Sequence, residues 1–351
     1  MSRPFPPDGS PRLPSTPRPL PWEPADTLTA SALYEVFRAA HLVDEPIEPP
    51  DSPGTHRLLL TGDWEGAPGE VWYLPNEFGG AVAYYRLDLP DLENLDRAFV
   101  YLFTHPALRR QGAGRALLRH AAERAAAHGR MVLDGVTPAD SAGDAFARST
   151  GATLAFERAR RVQELREIPP ERVAEMRAEA ERKATGYSLV TWTGPVPDEH
   201  AAGYAGALNA YYADAPHAEG VQPEVWDADR VRQRTGMLLR AGHLRGYSVA
   251  AVREATGEMA AITELTIDPD EPEWAYQHLT AVTRPHRGHR LGILVKTAMM
   301  QLLAETEPRL KRIRTRNGAD NEHMIAVNET LGHRLTRSGP RFYEIPVTDV
   351  K

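Results

Sequence analysis

Apolar residues recur at helical spacing over Leu28–Leu42, and the segment closes on Asp44-Glu45-Pro46. A second stretch of the same kind covers His200–Tyr212 and closes on Asp214-Ala215-Pro216. Short β-like runs follow each helix pattern. They are Leu58–Thr61, Glu70–Leu74 and Ala81–Leu87 after the first, and Tyr247–Arg253 and Met259–Ile267 after the second. Each half then runs through a strand, a basic glycine-containing turn and a long helix. The first half reads Phe99–Thr104, Arg109-Arg110-Gln111-Gly112-Ala113-Gly114 and a helix to about His128. The second reads Tyr276–Val282, Arg287-Gly288-His289-Arg290-Leu291-Gly292 and a helix to about Glu305. Superposing Arg109 on Arg287 gives an offset of 178 residues, about half the chain, which predicts a duplicated domain.

Within each half the order is helix, antiparallel strands, helix, strand, helix, strand. That order predicts an α/β (α+β) unit with a central sheet flanked by helices, rather than a barrel of alternating strand–helix pairs. Nine of the 30 prolines fall in residues 1–24, which predicts a flexible arm, with Trp22 as the anchor if it docks instead. The expected organisation is a domain over 25–165, a helical connector over 166–190 opened by Pro169-Pro170, and a second domain over 191–351.

Composition removes several chemistries. The 351 residues include no cysteine, so there is no disulfide, thiolate zinc site, iron–sulfur cluster or cysteine nucleophile. A net charge of -7 argues against a nucleic-acid partner. No run of 18 apolar residues is present and the N-terminus lacks the apolar core of a signal peptide. No membrane association is expected, and a cytoplasmic location is.

The strand–turn–helix carries the candidate chemistry. Glycines permit close backbone approach, and the helix that follows aims its free N–H groups and dipole at the turn. Arg109, Arg110 and Arg115 add positive charge there, which suits a pyrophosphate. No Gly-Lys-Ser/Thr follows, as a Walker loop needs, and the three-glycine dinucleotide fingerprint is missing too. Turn glycines and solvated arginines at a helix start are the plain alternative for one copy; two copies at matched positions weaken it.

Arg109-x-x-Gly112-x-Gly114 after a strand resembles the acyl-CoA pyrophosphate loop of the GNAT superfamily of N-acetyltransferases, and Arg287-x-x-Arg290-x-Gly292 resembles a variant of it. The run from Thr315 through Asn317, Asn321, Met324 and Asn328 to Leu331-Gly332-His333 resembles the family's later strand–helix segment. Phe146–Gly151 is a worn version in the first half.

The resemblance implies two domains in which neighbouring parallel strands splay apart and the pantetheine arm of acetyl-CoA pairs with the exposed strand edge. That assigns cofactor contacts to Leu279, Thr280, Ala281, Val282, Arg287, Gly288, His289, Arg290, Leu291, Gly292, Asn321 and Asn328. In the first half it assigns them to Leu102, Phe103, Thr104, Arg109, Arg110, Gln111, Gly112, Ala113, Gly114 and Arg115. No metal is implied. His286 and His289 lie among arginines that would repel a cation.

The resemblance also implies a general base near the pairing strand. Glu264 and His278 are the candidates, and the first half offers neither a carboxylate nor a His on its equivalent strand. Glu264 is equally compatible with the outer face of a half-buried strand, and His278 with a hydrogen-bonded core histidine. The family's general-acid tyrosine is replaced by Asn328 and Ala147, leaving Tyr343 or solvent as proton donor. Arg290 occupies a usual glycine position, with the loss of a permissive φ.

The expected activity is acetyl transfer to a small-molecule amine in the C-terminal domain, with the substrate near Asp214 and Glu264, by a monomer or homodimer. The alternatives are a degenerate acyl-CoA-binding or scaffold protein, and a protein N-acetyltransferase.

Overall fold

The computed structural model describes residues 18–61, 69–77, 79–214, 220–240, 244–318, 321–336 and 339–351; the side chains of 214 and 236–240, and with them the Asp214 carboxylate, lie outside the description, as do residues 1–17 of the expected arm. The chain divides into two compact units, one of residues 1–157 with 340–351, the other of residues 158–339.

The first unit opens with β1 (Leu20–Pro21), which pairs antiparallel with β2, so residues 20–22 dock instead of forming an arm. Trp22 is the anchor: it is buried, and its N–H donates to the Val71 carbonyl at 2.9 Å. Helix α1 (Thr27–Asp44) is capped by Asp26 and buries Leu33, Val36, Phe37 and Ala40 at the spacing of one helical face. The expected strand at Leu58–Thr61 is instead the last turn of α2 (Pro53–Thr61). The Thr55 N–H donates to Ser52 Oγ at 3.2 Å and proline stands first in the helix, the usual chemistry of a helix start.

Strands β2 (Gly69–Pro75), β3 (Ala81–Asp88) and β4 (Arg97–Thr104) form an antiparallel meander. Helix α3 (Ala113–Ala127) then leads to β5 (Val132–Pro138), parallel to β4, and to α4 (Ala142–Ser149). Strand β6 (Thr153–Glu164) supplies residues 153–157 here.

The C-terminal strand, Pro340–Pro346, fills the gap between β5 and β6. Arg97 fixes it. The buried guanidinium reaches Asp134 on β5 and donates to Glu344 on the C-terminal strand at 2.7 Å.

The second unit contains the remainder of β6, α5 (Pro170–Lys183), β7 (Tyr187–Thr193), α6 (Asp198–Asp214) and α7 (Ala228–Arg240). Strands β8 (Arg245–Arg253), β9 (Met259–Ile267) and β10 (Trp274–Val282) follow, then α8 (Leu291–Thr306), β11 (Arg312–Gly318), α9 (Glu322–Thr330) and β12 (His333–Leu335). Strands β7 to β10 run antiparallel, β11 lies parallel to β10, and residues 158–164 of β6 pair with β11. Every residue of β9 is buried, because helices cover both faces of this sheet.

These units differ from the expected domains in two respects. The last strand belongs with the first unit and the end of β6 with the second, so each takes a closing strand from the other half of the sequence. The expected connector is part of the second core: Met176, Ala180 and Ala184 pack with residues of β8, β9 and α8.

Candidate functional site

Both units contain a pair of parallel strands that pair for four residues and then part. β4 and β5 are in register from Arg97↔Val132 to Val100↔Gly135, and the parallel ladder ends there, with Leu102–Thr104 beyond it. β10 and β11 are in register from Trp274↔Arg312 to Gln277↔Thr315, and the ladder ends there in the same way, with Leu279–Val282 beyond it. The opposite edge of each strand stays in its antiparallel ladder. An extended amide-bearing ligand can pair with a strand edge past the end of such a parallel ladder.

The turn after each splayed strand is built alike. A short 3₁₀ turn, Pro106–Leu108 or Arg284–His286, is followed by two residues of positive φ and then by the long helix. Those residues are Arg110 and Gly112 in the first unit, Gly288 and Arg290 in the second. Arg290 therefore adopts the left-handed geometry a glycine would take, at φ 57°, at a cost of about 1–2 kcal/mol. The lost permissive φ expected from sequence did not change the loop's path.

No side chain caps α3 or α8, whereas Asp26, Ser141 and Asn321 cap α1, α4 and α9. The first N–H groups of α3 and α8 are thus left for a ligand, and an anion fits them.

The charges around the two turns are disposed differently. Arg109 is no phosphate ligand as it stands. It makes a two-pronged ion pair with Asp44 at 2.9 and 2.6 Å and donates from Nε to the Thr104 carbonyl at 3.3 Å. Arg287 repeats the last contact on Val282 at 3.3 Å, so the matched arginines strap the end of the splayed strand to the turn. Arg110, Gln111 and Arg115 are exposed beside the free helix end of the first unit, which fits a pyrophosphate well. In the second unit Arg290 pairs with Glu179 on α5 at 3.0 Å, and buried Ile293 stands where the first unit has Arg115. The fit there is to the backbone more than to side-chain charge.

Asn321 and Asn328 are occupied. Asn321 caps α9 by accepting from the Met324 N–H at 3.1 Å. Asn328 is 1% exposed and donates to Asn317 on β11 at 2.8 Å.

The candidate bases separate clearly. Across β9 and β10 the register slips between Gln277 and Leu279, so His278 bulges out and Glu264 stands opposite Leu279, the first residue past the bulge. The Glu264 side chain is buried and accepts a hydrogen bond from the Tyr204 hydroxyl of α6. Burial, and then the neighbouring Glu264, push the Tyr204 hydroxyl well above its ordinary value, so it remains a donor. Gln277 Nε2 donates to the Glu264 carbonyl at 2.7 Å and to the Leu279 carbonyl at 3.1 Å, holding the main chain on both sides of the bulge.

His278 is hydrogen-bonded to Thr266 at 2.7 Å. Burial, and then the charges of Arg234, Arg314 and Arg316, lower it to about 3, which makes it a neutral group with little affinity for a proton. Tyr343 lies in the first unit, where its hydroxyl donates to the buried Asp144 carboxylate at 2.5 Å. It closes α4 against the C-terminal strand, within the first unit. Sequence alone put it in the second domain because it follows α9 in the chain.

In the first unit the residue 178 positions before Glu264 is Arg86, buried and paired with Asp88. A cation stands where the second unit has a carboxylate, and the β3–β4 register runs without a bulge. Phe103, on the splayed strand, packs between Phe37 at 5.4 Å and Tyr84 at 5.2 Å, with His56 against Phe37 and hydrogen-bonded to Tyr84 at 2.8 Å. Aromatic rings fill the helix-α1 side of that splay. Tyr204, Gln277 and Arg86 were not singled out from sequence; alternation within β9 and β10 gives their faces, but only the register brings them to Glu264 or its counterpart.

Among the described residues no cluster of three or more His, Asp or Glu side chains could hold a metal ion, and no helix is long and apolar enough to cross a membrane.

Residues 30–151 match the acetyltransferase (GNAT) family. A tandem GNAT protein from the clavulanic acid biosynthesis pathway, solved without AcCoA, is 28% identical, with a TM-score of 0.79 over 94% of this chain and 98% of that one. A GCN5-related N-acetyltransferase from Sphaerobacter thermophilus shares the fold at 17% identity and a TM-score of 0.63, over 96% of this chain and 97% of its own. None of the curated proteins matches. Both units carry a splayed parallel pair followed by a glycine-containing turn, and these likenesses agree with that: the chain has the fold of a tandem GNAT protein, and its residues 30–151 match the GNAT acetyltransferase family.

Proposed function

We propose that the protein is an acetyl-CoA-dependent N-acyltransferase acting on a small-molecule amine, with transfer in the second unit. The observation that carries this reading is Glu264, a buried carboxylate on β9 opposite Leu279, the first residue past the bulge at which β10 leaves β11. Acetyl-CoA, when bound, supplies an acyl group as an activated thioester. The edge of Leu279–Val282 beyond the parallel ladder and the uncapped start of α8 would hold it. Glu264 takes the proton of the incoming amine, directly or through one water, and the Tyr204 hydroxyl fixes the carboxylate's orientation. N–H groups on the edge of β10 beyond the parallel ladder are placed to stabilise oxygen charge as it develops. No side chain is required to protonate the departing thiolate, which is a good leaving group at neutral pH.

The first unit, with its exposed Arg110 and Arg115, its Arg86 in place of a base and its filled aromatic side, holds acyl-CoA without transferring from it. The test is release of free CoA thiol from acetyl-CoA in the presence of a panel of small amines. Wild type should exceed the hydrolysis background with at least one amine, and Glu264→Gln should lower that release about 100-fold or more. No amine-dependent release, with acetyl-CoA nonetheless bound, would leave the degenerate-binder reading in its place.

A further inference from the structure

Between the sheet of the second unit and the helices α8 and α9 lies a band of buried polar side chains. Gln277 on β10, Thr315 on β11, Arg161 on β6, Lys296 on α8, Asn328 on α9 and His333 on β12 are each 5% exposed or less. They are partly linked to one another. Lys296 Nζ donates to Gln277 Oε1 at 3.1 Å, the Thr315 hydroxyl to the Gln277 carbonyl at 3.4 Å, and His333 Nδ1 lies 3.2 Å from the Asn328 carbonyl.

The links leave a surplus of donors. Arg161 Nε and Nη1 are donors with no acceptor among the described residues, and Lys296 has two further ammonium hydrogens, against two acceptors without a donor: Asn328 Oδ1, and His333 Nε2, whose ring donates from Nδ1 to the Asn328 carbonyl. Among the described residues Arg161 forms an ion pair with the exposed Glu329, 3.7 Å from Nη2. Burial lowers Lys296 to about 7. Thr315 stands beside Gln277 in the β10–β11 register and opposite Arg161 in the β11–β6 register, so Gln277, Thr315 and Arg161 form one row across three strands with Lys296 over its Gln277 end; burial holds the His333 imidazole well below its ordinary value. Lysine and histidine can escape the cost of burial by losing a proton; a guanidinium cannot.

The fold does not demand this polarity. At the offset of 178, Lys296 corresponds to Leu118, and the last paired residue of the first unit's parallel ladder is Val100; both lie in that unit's apolar core. The same architecture is therefore built with hydrocarbon in one copy and with two buried cations in the other. Unpaired buried donors beside positive charge are what a negative ligand satisfies.

We propose that Arg161 and Lys296 form an interior binding site for a small monovalent anion, of which chloride is the simplest. The anion accepts from the free guanidinium N–H groups and from the ammonium hydrogens not used on Gln277. Its charge keeps Lys296 protonated, and a protonated Lys296 fixes Gln277 with Oε1 toward the helix and Nε2 toward the Glu264 and Leu279 carbonyls. The site thus supports the bulge from the opposite face of the sheet.

Thermal unfolding of the full chain, at constant ionic strength with sodium gluconate replaced stepwise by sodium chloride or bromide, tests this without any acyl donor. Wild type should gain about 3 °C or more in a saturating manner, as for a ligand that binds only the folded state. Arg161→Met should lose that response, and Lys296→Met, which also serves if Arg161→Met does not fold, should lose at least about half of it. Crystals soaked in bromide should show anomalous scattering beside Arg161. An equal anion response in wild type and both variants, or none in wild type, overturns the proposal and leaves the acyltransferase reading untouched.

Discussion

Gly292 and Gly114 allow stability to be separated from ligand binding. Neither has a positive φ, and both stand at the second position of their helices. A Cβ on Gly292 would lie 3.8 Å from Val282 Cγ2 and 4.0 Å from Val327 Cγ2, which is ordinary contact. On Gly114 it would lie 3.5 Å from the Phe146 ring and 3.8 Å from Thr104 Oγ1. Nothing in the protein must move to admit the methyl group. Replacing glycine by alanine in a helix is worth up to about 1 kcal/mol, less in the first turn. Gly292→Ala and Gly114→Ala should therefore stabilise by about 0.5–1 kcal/mol, raising Tm by about 1–4 °C.

The methyl group points into the gap between the end of the splayed strand and the helix across from it, α9 or α4, where the cofactor arm would pass. Acetyl-CoA occupancy of the altered unit should fall about tenfold or more, the equivalent of ~1.4 kcal/mol. Calorimetry of unfolding and native mass spectrometry with acetyl-CoA measure the two effects on one sample. Loss of Tm beyond about 2 °C would refute the packing at the helix start. Unchanged occupancy in both variants would refute use of these turns for the cofactor.

Three further outcomes follow from particular contacts. Glu344→Ala leaves the buried Arg97 with Asp134 alone and should cost about 1–3 kcal/mol in unfolding of the first unit, with amine-dependent CoA release unchanged at temperatures where the protein is folded. Arg290→Gly relieves a left-handed non-glycine residue at the loss of a half-exposed ion pair to Glu179, so unfolding should show no change or a gain of up to about 1 kcal/mol. Lys296 is depressed from 10.5 to about 7 in the folded state. Both states are protonated below pH 7, where the burial cost is fully present. As pH rises from 7 to 10.5 the unfolded state holds the extra proton, and stability should rise with pH. In gluconate buffer that rise should approach ~4 kcal/mol, be absent from Lys296→Met, and shrink in chloride.

Much of this molecule was legible in the sequence, for identifiable reasons. The helices and strands of each half follow the spacing of apolar residues, and the 178-residue offset aligns both turns and both strand-end straps, Arg109 with Arg287. The apolar run Leu58-Leu59-Leu60 misled because three adjacent leucines fit a strand or one turn of helix equally, and the decisive Ser52-Pro53 start lies six residues earlier. The C-terminal strand alternates as a strand should, yet alternation names a face and never a partner; Glu344 facing Arg97 and Asp134 could be found only in space. Tyr343 was misassigned with it. Glu264 was singled out because the resemblance implies a base beside the pairing strand, where it and His278 are the candidates, but Lys296 was not. It sits in a helix apolar on every side, where one lysine reads as the solvent edge of an amphipathic pattern.

Where transfer occurs is decided by blocking one unit at a time. Wild type, Gly292→Trp and Gly114→Trp would be incubated with acetyl-CoA and an amine that supports thiol release, with bound CoA counted by native mass spectrometry and acylated amine by its mass. The expected result is loss of product and of one bound ligand in Gly292→Trp, and loss of one ligand with product retained in Gly114→Trp. Product that survives Gly292→Trp and disappears with Gly114→Trp would move the chemistry to the first unit and leave Glu264 without the role given to it here.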